Sequence, residues 1–344
     1  MNKKIFIILT IIIIPALVSG QNFVSNVSKV GTAAGTFLEI PIGAKAVGMG
    51  GAFVSIANDA TTLYWNAAGI AKLPQSEVVG VHSGWIAGTS FDYAAVALKL
   101  GGFGALGLSI TSLSMDDMKV RTIEKPDGTG EFFSAGDLAV GLSYAFELTD
   151  RFAIGFTGKY IQQNIWHMTA RGFALDVGST FRTDLFNGMV IGAAITNFGT
   201  DMQMSGRDSR RFYRVDQTKL GSNARIPFNI EMDTWDLPLS FQFGVSTDFL
   251  KSDYYRWTIA VDAIHPSDNY HSVNIGTEMA LRETVFLRGG YHSLFLDEAE
   301  GGLSLGLGLT SSMLFTGTQI KVDYAYRDMG RLEDVQLVSL GVSF

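Results

Sequence analysis

The chain ends on the stretch VQLVSLGVSF, residues 335–344, in which apolar side chains alternate with small or polar ones. The apolar set is Val338, Leu340, Val342 and Phe344, and the set between them is Ser339, Gly341 and Ser343. Successive side chains of a β-strand point to opposite faces. This stretch therefore predicts a strand with one apolar face and one small, polar face.

The same alternation recurs at residues 152–160, 239–246, 303–310 and 320–327. A soluble sandwich turns the apolar face of such strands inward, whereas an outer-membrane barrel turns it toward lipid. The period of two thus predicts an all-β protein and leaves both architectures open.

The first twenty residues indicate export. Lys3 and Lys4 precede an apolar run from Ile5 to Ile14, and Val18-Ser19-Gly20 has the small residues of a cleavage site. Residues 1–20 are therefore predicted to be a secretory signal peptide. A membrane anchor is the weaker interpretation, because Pro15 interrupts a run that would need about 18 apolar residues to span a bilayer.

Composition and the C-terminus favour the membrane architecture. Charged residues make up 17% of the chain, against roughly 25% in soluble domains. No second long apolar run follows the signal peptide, and a membrane protein without a spanning helix has to form a closed barrel. The tail resembles the closing strand of a bacterial outer-membrane barrel, so Phe344 is the expected assembly signal for the barrel-insertion machinery.

Charge and cysteine content exclude several classes of protein. The absence of cysteine excludes a lipoprotein and a disulfide-stapled fold. Without Lys3 and Lys4 the chain has 24 basic against 33 acidic residues, a net charge of −9. This acidic balance argues against nucleic acid as a partner.

The alternating segments number about fourteen, an even count as bacterial single-chain barrels require, with twelve and sixteen as alternatives. They are residues 77–86, 90–100, 103–113, 136–147, 151–163, 171–182, 188–198, 239–249, 255–264, 271–281, 284–294, 301–310, 317–327 and 335–344. The two long connections, 114–135 and 199–238, both follow odd-numbered strands. If both ends of the barrel lie in the periplasm, these loops are extracellular.

Residues 21–76 precede the first strand of the barrel at 77–344 and are predicted to be an N-terminal plug, or hatch. Residues 43–52 are nearly all small, which allows close backbone packing. Asn58 and Asp59 are expected to cap a short helix through Leu63.

Three stretches in this region, Phe37–Val54, Ala57–Thr61 and Leu63–Gly69, resemble the N-terminal signature of the PorV/PorQ family of FadL-like outer-membrane barrels. The Asn-Pro-Ala motif of FadL-like hatches is matched by Asn66-Ala67-Ala68, without the proline. The resemblance implies a transmembrane antiparallel barrel of about fourteen strands. The hatch positions it singles out are Gly43, Gly48, Gly50, Gly51, Asn58, Asp59, Trp65, Asn66 and Gly69.

The sequence contains only weak matches to the motifs of nucleotide-binding, metal-binding or catalytic sites. Residues 102–107 match a G-x-G-x-x-G pattern, but strand-like residues follow where a nucleotide site needs a helix N-terminus. The histidines, which are His82, His167, His265, His271 and His292, lack metal-ligand spacing. No Ser, His and carboxylate share an identifiable face. We therefore predict no catalytic, cofactor or metal site, and no enzyme.

Two other groups of residues remain as candidates. Charges expected on the lumen side are Lys159, Asp262, Glu278, Arg288, Lys321, Asp323 and Arg327. They form either ion pairs that tie the plug to the wall or a polar path for a solute. The loops also carry aromatic residues, namely Phe132, Phe133, Phe212, Tyr213, Trp235 and Phe295, which could form a binding surface, an interfacial belt or contacts between loops.

Two functions are consistent with these observations. Resemblance to PorV-type barrels implies a non-enzymatic partner in type IX-like protein secretion that receives and shuttles exported cargo. The alternative is a FadL-like transporter or channel for hydrophobic small molecules. Expected partners are outer-membrane lipid, the barrel-insertion machinery, and either secretion-system proteins or hydrophobic solutes. The family signature favours the secretion partner.

Overall fold

In the computed structural model the chain forms a closed antiparallel barrel of fourteen strands. The structure describes residues 29–344 apart from 215–217, 219–224, 297–298, 312–316 and 333, so the predicted signal peptide lies outside the described residues. The barrel strands are β1 Glu77–Gly84, β2 Ser90–Lys99, β3 Ala105–Ser114, β4 Ala135–Thr149, β5 Phe152–Ile165, β6 Met168–Arg182, β7 Val190–Gly199, β8 Ser240–Lys251, β9 Tyr255–Pro266, β10 Ser272–Leu281, β11 Val285–Leu294, β12 Leu303–Ser311, β13 Gln319–Asp328 and β14 Asp334–Ser343.

Each strand pairs with the next in sequence, and β14 closes the barrel by pairing with β1. Gly80 lies opposite Leu340, and Val81 lies opposite Ser339. Closure gives every strand two neighbours and removes free sheet edges, which lipid would leave without hydrogen-bond partners. The predicted count of fourteen is confirmed.

The apolar face of the strands points out of the barrel. In β12, Leu305 and Leu307 are 51% and 55% exposed, whereas Ser304, which points to the opposite face of the strand, is fully buried. In β14, Val338 and Leu340 are exposed, while Ser339 is buried. Among the residues that the structure describes, no helix has the length and apolar character to cross a bilayer.

The long connections contain short ladders of their own. The loop after β3 pairs Met118–Lys119 with Phe132–Phe133. The loop after β7 forms a hairpin in which Arg210–Tyr213 pairs with Ile226–Asn229, and we call it the β7–β8 hairpin. Both loops leave the same end of the barrel, which we call the loop end. The opposite end, where β1 begins and β14 finishes, is the turn end.

The N-terminal segment, residues 29–76, contains four short helical turns. They are a 3-10 turn at Thr36–Glu39, α1 at Ala44–Gly48, α2 at Thr62–Trp65 and a 3-10 helix at Ala67–Lys72. The structure does not place a cap at Asn58 or Asp59. The residue before α2 is Thr61, whose side chain makes no capping hydrogen bond. Asp59 instead accepts a hydrogen bond from the Thr61 N–H at 2.9 Å, a local turn that competes with helix.

Candidate functional site

The N-terminal segment packs directly on the backbone of the barrel wall, on the face that carries small and polar side chains. A Cβ atom added at Gly155 of β5 would lie 2.5 Å from the carbonyl carbon of Ala67. One added at Gly192 of β7 would lie 2.4 Å from the Val54 oxygen, and one at Gly276 of β10 would lie 2.2 Å from the Met49 oxygen. Glycine at these wall positions therefore leaves space for the segment's backbone.

Wall side chains also accept hydrogen bonds from the segment's backbone. The Ser339 Oγ accepts from the Ala44 N–H at 2.8 Å, and the Asp262 Oδ2 accepts from the Val54 N–H at 2.9 Å. The Gln163 Oε1 accepts from the Gly35 N–H at 2.9 Å. These acceptors belong to β14, β9 and β5. Because buried amides need partners, the segment is held from several sides of the barrel at once.

The glycines of the predicted hatch motif are close-contact positions. Gly50 and Gly51 have φ angles of +66° and +76°, which a side chain would strain. A Cβ at Gly50 would lie 2.6 Å from the Tyr291 nitrogen of β11. The other three glycines, Gly43, Gly48 and Gly69, each leave less than 3.0 Å between an added Cβ and a neighbouring atom.

The polar residues of the motif hold the segment's turns together. The Lys45 ammonium donates to the Asn58 Oδ1 at 2.7 Å and lies 3.9 Å from the Asp59 Oδ2. The Trp65 indole N–H donates to the Ile42 oxygen at 2.9 Å. These bonds join α1 to α2 and to the turn between them.

Asn66 connects the segment to the wall. Its buried side-chain amide donates to the Val54 oxygen and to the Ser179 oxygen of β6, both at 2.9 Å. Its Oδ1 accepts from the Ala68 N–H at 3.2 Å and caps the 3-10 helix Ala67–Lys72. In this chain the asparagine side chain, without a following proline, fixes the start of that helix.

Three of the seven predicted lumen charges pair with one another across the wall, and two more pair with carboxylates outside the predicted set. Arg288 contacts Glu278 at 2.7 Å and Asp323 at 2.5 Å. Lys321 contacts Glu77 at 2.6 Å, and Lys159 contacts Asp176 at 2.6 Å. Asp262 accepts the hydrogen bond from the Val54 N–H that is described above. Arg327 lies 3.5 Å from the His292 Nδ1 and, among the described residues, has no carboxylate within 4.0 Å.

Three partners in these pairs were absent from our prediction. They are Glu77, Asp176 and Arg256, the last of which contacts Glu278 at 3.0 Å. Asp176 occupies an inward position of the predicted strand 171–182, so the alternation contains the signal for it. Glu77 is the first residue of β1, where the alternating pattern has only just begun.

Among the described residues, the cavities beside the segment include three at the two ends of the barrel. At the loop end lie a polar cavity of about 270 Å³ and an apolar one of about 310 Å³, and Glu39 and Arg327 line both. Burial among protein atoms raises the pKa of Glu39 to about 7, and the nearby carboxylate of Asp268 adds to the rise. At the turn end lies a cavity of about 400 Å³.

The loop aromatics are mainly exposed. Phe212 and Tyr213 in the β7–β8 hairpin are 58% and 56% exposed, and Trp235 is 46% exposed. Phe132 and Phe295 are exposed too, while Phe133 packs against Trp166 with ring centroids 6.5 Å apart. Tyr213 and Phe212 also have partners in the hairpin, since the Tyr213 ring lies 6.2 Å from that of Phe228 and the Arg225 guanidinium lies 4.9 Å from the Phe212 ring.

The glycine pattern and the histidines form no nucleotide or metal site among the described residues. Residues 102–107 span the turn between β2 and β3 and the first residues of β3. A strand, and not a helix, therefore follows the glycines. The His82 Nδ1 lies 2.7 Å from the Asp92 Oδ1, and the rings of His265 and His271 are 6.2 Å apart. Across the described part of the chain, no three His, Asp or Glu side chains are grouped to hold a metal ion.

Solved structures with the same fold include a FadL homologue, a toluene transporter and a hydrocarbon channel. A Pseudomonas aeruginosa FadL homologue is 9% identical with a TM-score of 0.53, covering 89% of this chain and 98% of that one. The Ralstonia pickettii toluene transporter TbuX is 13% identical with a TM-score of 0.53, covering 88% and 97%. The monoaromatic hydrocarbon channel CymD is 12% identical with a TM-score of 0.54, covering 89% and 98%. At these identities the likeness shows the fold alone.

No curated protein sequence matches the chain. The family model of the type IX secretion system protein PorV matches residues 23–266, which is more than half of the chain. The match includes the N-terminal segment and the wall strands β1 to β9. The chain therefore belongs to the PorV family and is a β-barrel of the bacterial outer membrane.

Proposed function

We propose that this barrel is a non-enzymatic partner in type IX-like protein secretion and that it holds exported proteins or secretion components at the loop end. The match to the PorV family over residues 23–266 carries this proposal. The barrel then acts as a docking platform anchored in the membrane.

The packing of the N-terminal segment supports a docking role. The segment contacts wall backbone at Gly155, Gly192 and Gly276 and is hydrogen-bonded to β5, β9 and β14. A segment held at so many points acts as a plug that seals the lumen. Function then resides on the outer surfaces of the protein.

The β7–β8 hairpin supplies the docking surface in this proposal. Both strands of the hairpin are exposed along their whole length. Phe212 and Tyr213 present aromatic side chains there, and Trp235 lies in a separate ladder of the same loop, opposite Met202. Aromatic anchors typically dominate the binding energy of an interface. Exposed aromatics of this kind mark protein-interaction sites.

A second candidate function is the transport of hydrophobic molecules. Its support is the apolar cavity at the loop end, which is lined by Phe37, Ile40, Trp85, Leu113 and Met329 among others. Structures with the same fold include a toluene transporter and a hydrocarbon channel. In this case the plug has to move for a solute to pass.

One experiment distinguishes the two functions. We expect the triple variant Phe212→Ala, Tyr213→Ala, Trp235→Ala to lose its partner proteins in pull-downs from the native membrane while it still folds. Truncating an aromatic anchor typically costs about 2 kcal/mol, so the loss should be nearly complete. Phe103→Ala is the control, because this aromatic is 81% exposed and lies at the turn end. Retained partners together with lost hydrocarbon uptake would favour the transporter.

A further inference from the structure

The cavity at the turn end contains two cations that lack a carboxylate partner. Its lining includes Lys72, Arg182, Lys251 and Arg256. Arg256 is paired with Glu278 and Glu283 at 3.0 and 2.8 Å, and Lys251 with Asp248 at 3.6 Å. Within the described ranges, Lys72 and Arg182 have no carboxylate within 4.0 Å, and residues 1–28 contain no Asp or Glu.

Lys72 and Arg182 are close enough to influence each other. Burial lowers the pKa of Lys72, the carboxylate of Glu147 opposes this shift, and the guanidinium of Arg182 adds to it. Arg182 is exposed, so solvent screens part of the repulsion between these two like charges, and an anion bound between them would offset the rest. The arrangement therefore favours a negatively charged occupant.

Two buried hydroxyl groups in the same lining also lack partners. The side chains of Ser55 and Thr180 are 2% and 3% exposed, and their oxygen atoms have no hydrogen-bond partner among the described residues. Buried polar groups in native proteins are nearly always hydrogen-bonded. A hydroxyl can donate to an anionic oxygen, and both residues line the cavity, so a rotation of either side chain would add a neutral donor to the two cations.

We propose that Lys72, Arg182, Ser55 and Thr180 form a binding site for a phosphate group at the turn end of the barrel. Arginine can bind phosphate oxygens through two parallel N–H donors, and lysine supplies a compact charge. The cavity, at about 400 Å³, is larger than the ion alone. The phosphate therefore belongs to a larger molecule, either an anionic lipid headgroup or a phosphorylated solute. This site does not depend on the proposed role in secretion.

The test is phosphate binding by the purified full-length barrel in an uncharged detergent, followed by ³¹P NMR titration with inorganic phosphate. Loss of one charge-assisted hydrogen bond corresponds to about a tenfold loss of affinity or more. We expect such a loss for Lys72→Met and for Arg182→Gln. Lys251→Met and Arg151→Gln are the matched controls, because these cations are already paired, with Asp248 and Asp184. A heat-modifiability gel shows whether each variant is folded.

The source of the phosphate is distinguished by native mass spectrometry after transfer to phosphatidylglycerol or phosphatidylcholine nanodiscs. Phosphatidylglycerol that is retained by the parent protein and lost from both variants identifies a lipid headgroup. Lost phosphate binding with unchanged lipid retention identifies a soluble phosphorylated compound. Absence of saturable phosphate binding, or equal losses in the control variants, would overturn the proposal.

Discussion

At the residue scale, Asn66 shows how one side chain can satisfy three backbone groups from separate parts of the fold. Its amide bonds the Val54 oxygen of the segment and the Ser179 oxygen of the wall, and its Oδ1 caps the following 3-10 helix. An asparagine side chain has the donors and acceptors to make all three bonds. Alanine at this position leaves buried carbonyls unpaired.

We therefore expect Asn66→Ala to destabilise the folded barrel by on the order of 3 kcal/mol, since each unsatisfied buried group costs about 1–3 kcal/mol. The measurement is urea unfolding in lipid vesicles, followed by tryptophan fluorescence. Asn58→Ala is the matched control, because Asn58 makes one exposed bond to Lys45. That change should cost less than about 1 kcal/mol. Equal losses for both variants would contradict the bridging role.

Glu39 is a second single residue with an expected effect, because it makes the stability of the fold depend on pH. Its pKa is raised from 4.5 to about 7 in the folded protein, so folding disfavours the ionised carboxylate. The free energy of unfolding is unaffected at pH values below the pKa of Glu39 in the unfolded chain, and it falls as pH rises from about 4.5 to about 7. Because the side chain is open to the loop-end cavities, solvent screens part of this effect.

The expected outcome is a difference between the parent protein and Glu39→Gln that depends on pH. Unfolding midpoints of the two proteins should agree near pH 4 and diverge up to about pH 7, where the glutamine variant is more stable. Above that pH the difference should stay constant. A difference that shrinks as pH rises would show that the carboxylate stabilises the fold.

At the element scale, the closing strand β14 connects the chain's last residues to its first barrel strand. Its outward side chains include Val338 and Leu340, and Phe344 beyond it is 54% exposed and donates its N–H to the Ser76 oxygen at 2.8 Å. The aromatic side chain therefore lies at the seam where the barrel closes, on the lipid side. A charge on that side is costly in a membrane barrel.

Phe344→Asp should abolish insertion into the outer membrane, because it places a carboxylate at the seam and removes the terminal aromatic. The measurement is the amount of heat-modifiable barrel in the outer-membrane fraction. Phe344→Tyr keeps an aromatic ring and should insert normally. Normal insertion of the aspartate variant would remove the basis for treating Phe344 as an assembly signal.

The elements also show which features a sequence can predict. A strand of ten residues repeats its alternation several times, so all fourteen barrel strands were predicted with small boundary differences, such as 136–147 against Ala135–Thr149 for β4. The two-residue ladder of Met118–Lys119 has no period to detect. The helix expected to follow a cap at Asn58 or Asp59 begins at Thr62, and the Asp59 side chain accepts from the Thr61 N–H just before it.

The alternation of side chains does not predict which residues form ion pairs across the barrel wall. Glu278 and Arg288 lie directly opposite each other because β10 and β11 adopt one particular register. Lys159 reaches Asp176 diagonally, since Lys159 lies opposite Ala174. Inward position follows from alternation, whereas partner identity follows from register, which the turns set. Alternation therefore indicates an inward position for charges such as Glu278 and Arg288, but the prediction omitted Glu77, Asp176 and Arg256 and did not contain the pairing.

At the scale of the whole molecule, the asymmetry between the two ends predicts how the barrel sits in the membrane. The connections after β3 and β7 are long and carry ladders and exposed aromatics, whereas β8 and β9 are joined by three residues, 252–254. Bacterial barrels have long extracellular loops and short periplasmic turns. We therefore expect the loop end, with the β7–β8 hairpin, to face the medium, and the turn end, with the proposed phosphate site, to face the periplasm.

Single cysteines test this orientation in a chain that has none. Ile123 in the loop after β3 is fully exposed, and Asp253 in the turn after β8 is exposed as well. Ile123→Cys should react with a membrane-impermeant maleimide on intact cells, because the long loop projects into the medium. Asp253→Cys should react only after the outer membrane is broken. Labelling of Asp253→Cys but not of Ile123→Cys on intact cells would invert the barrel, moving the aromatic hairpin to the periplasm and away from any exported partner.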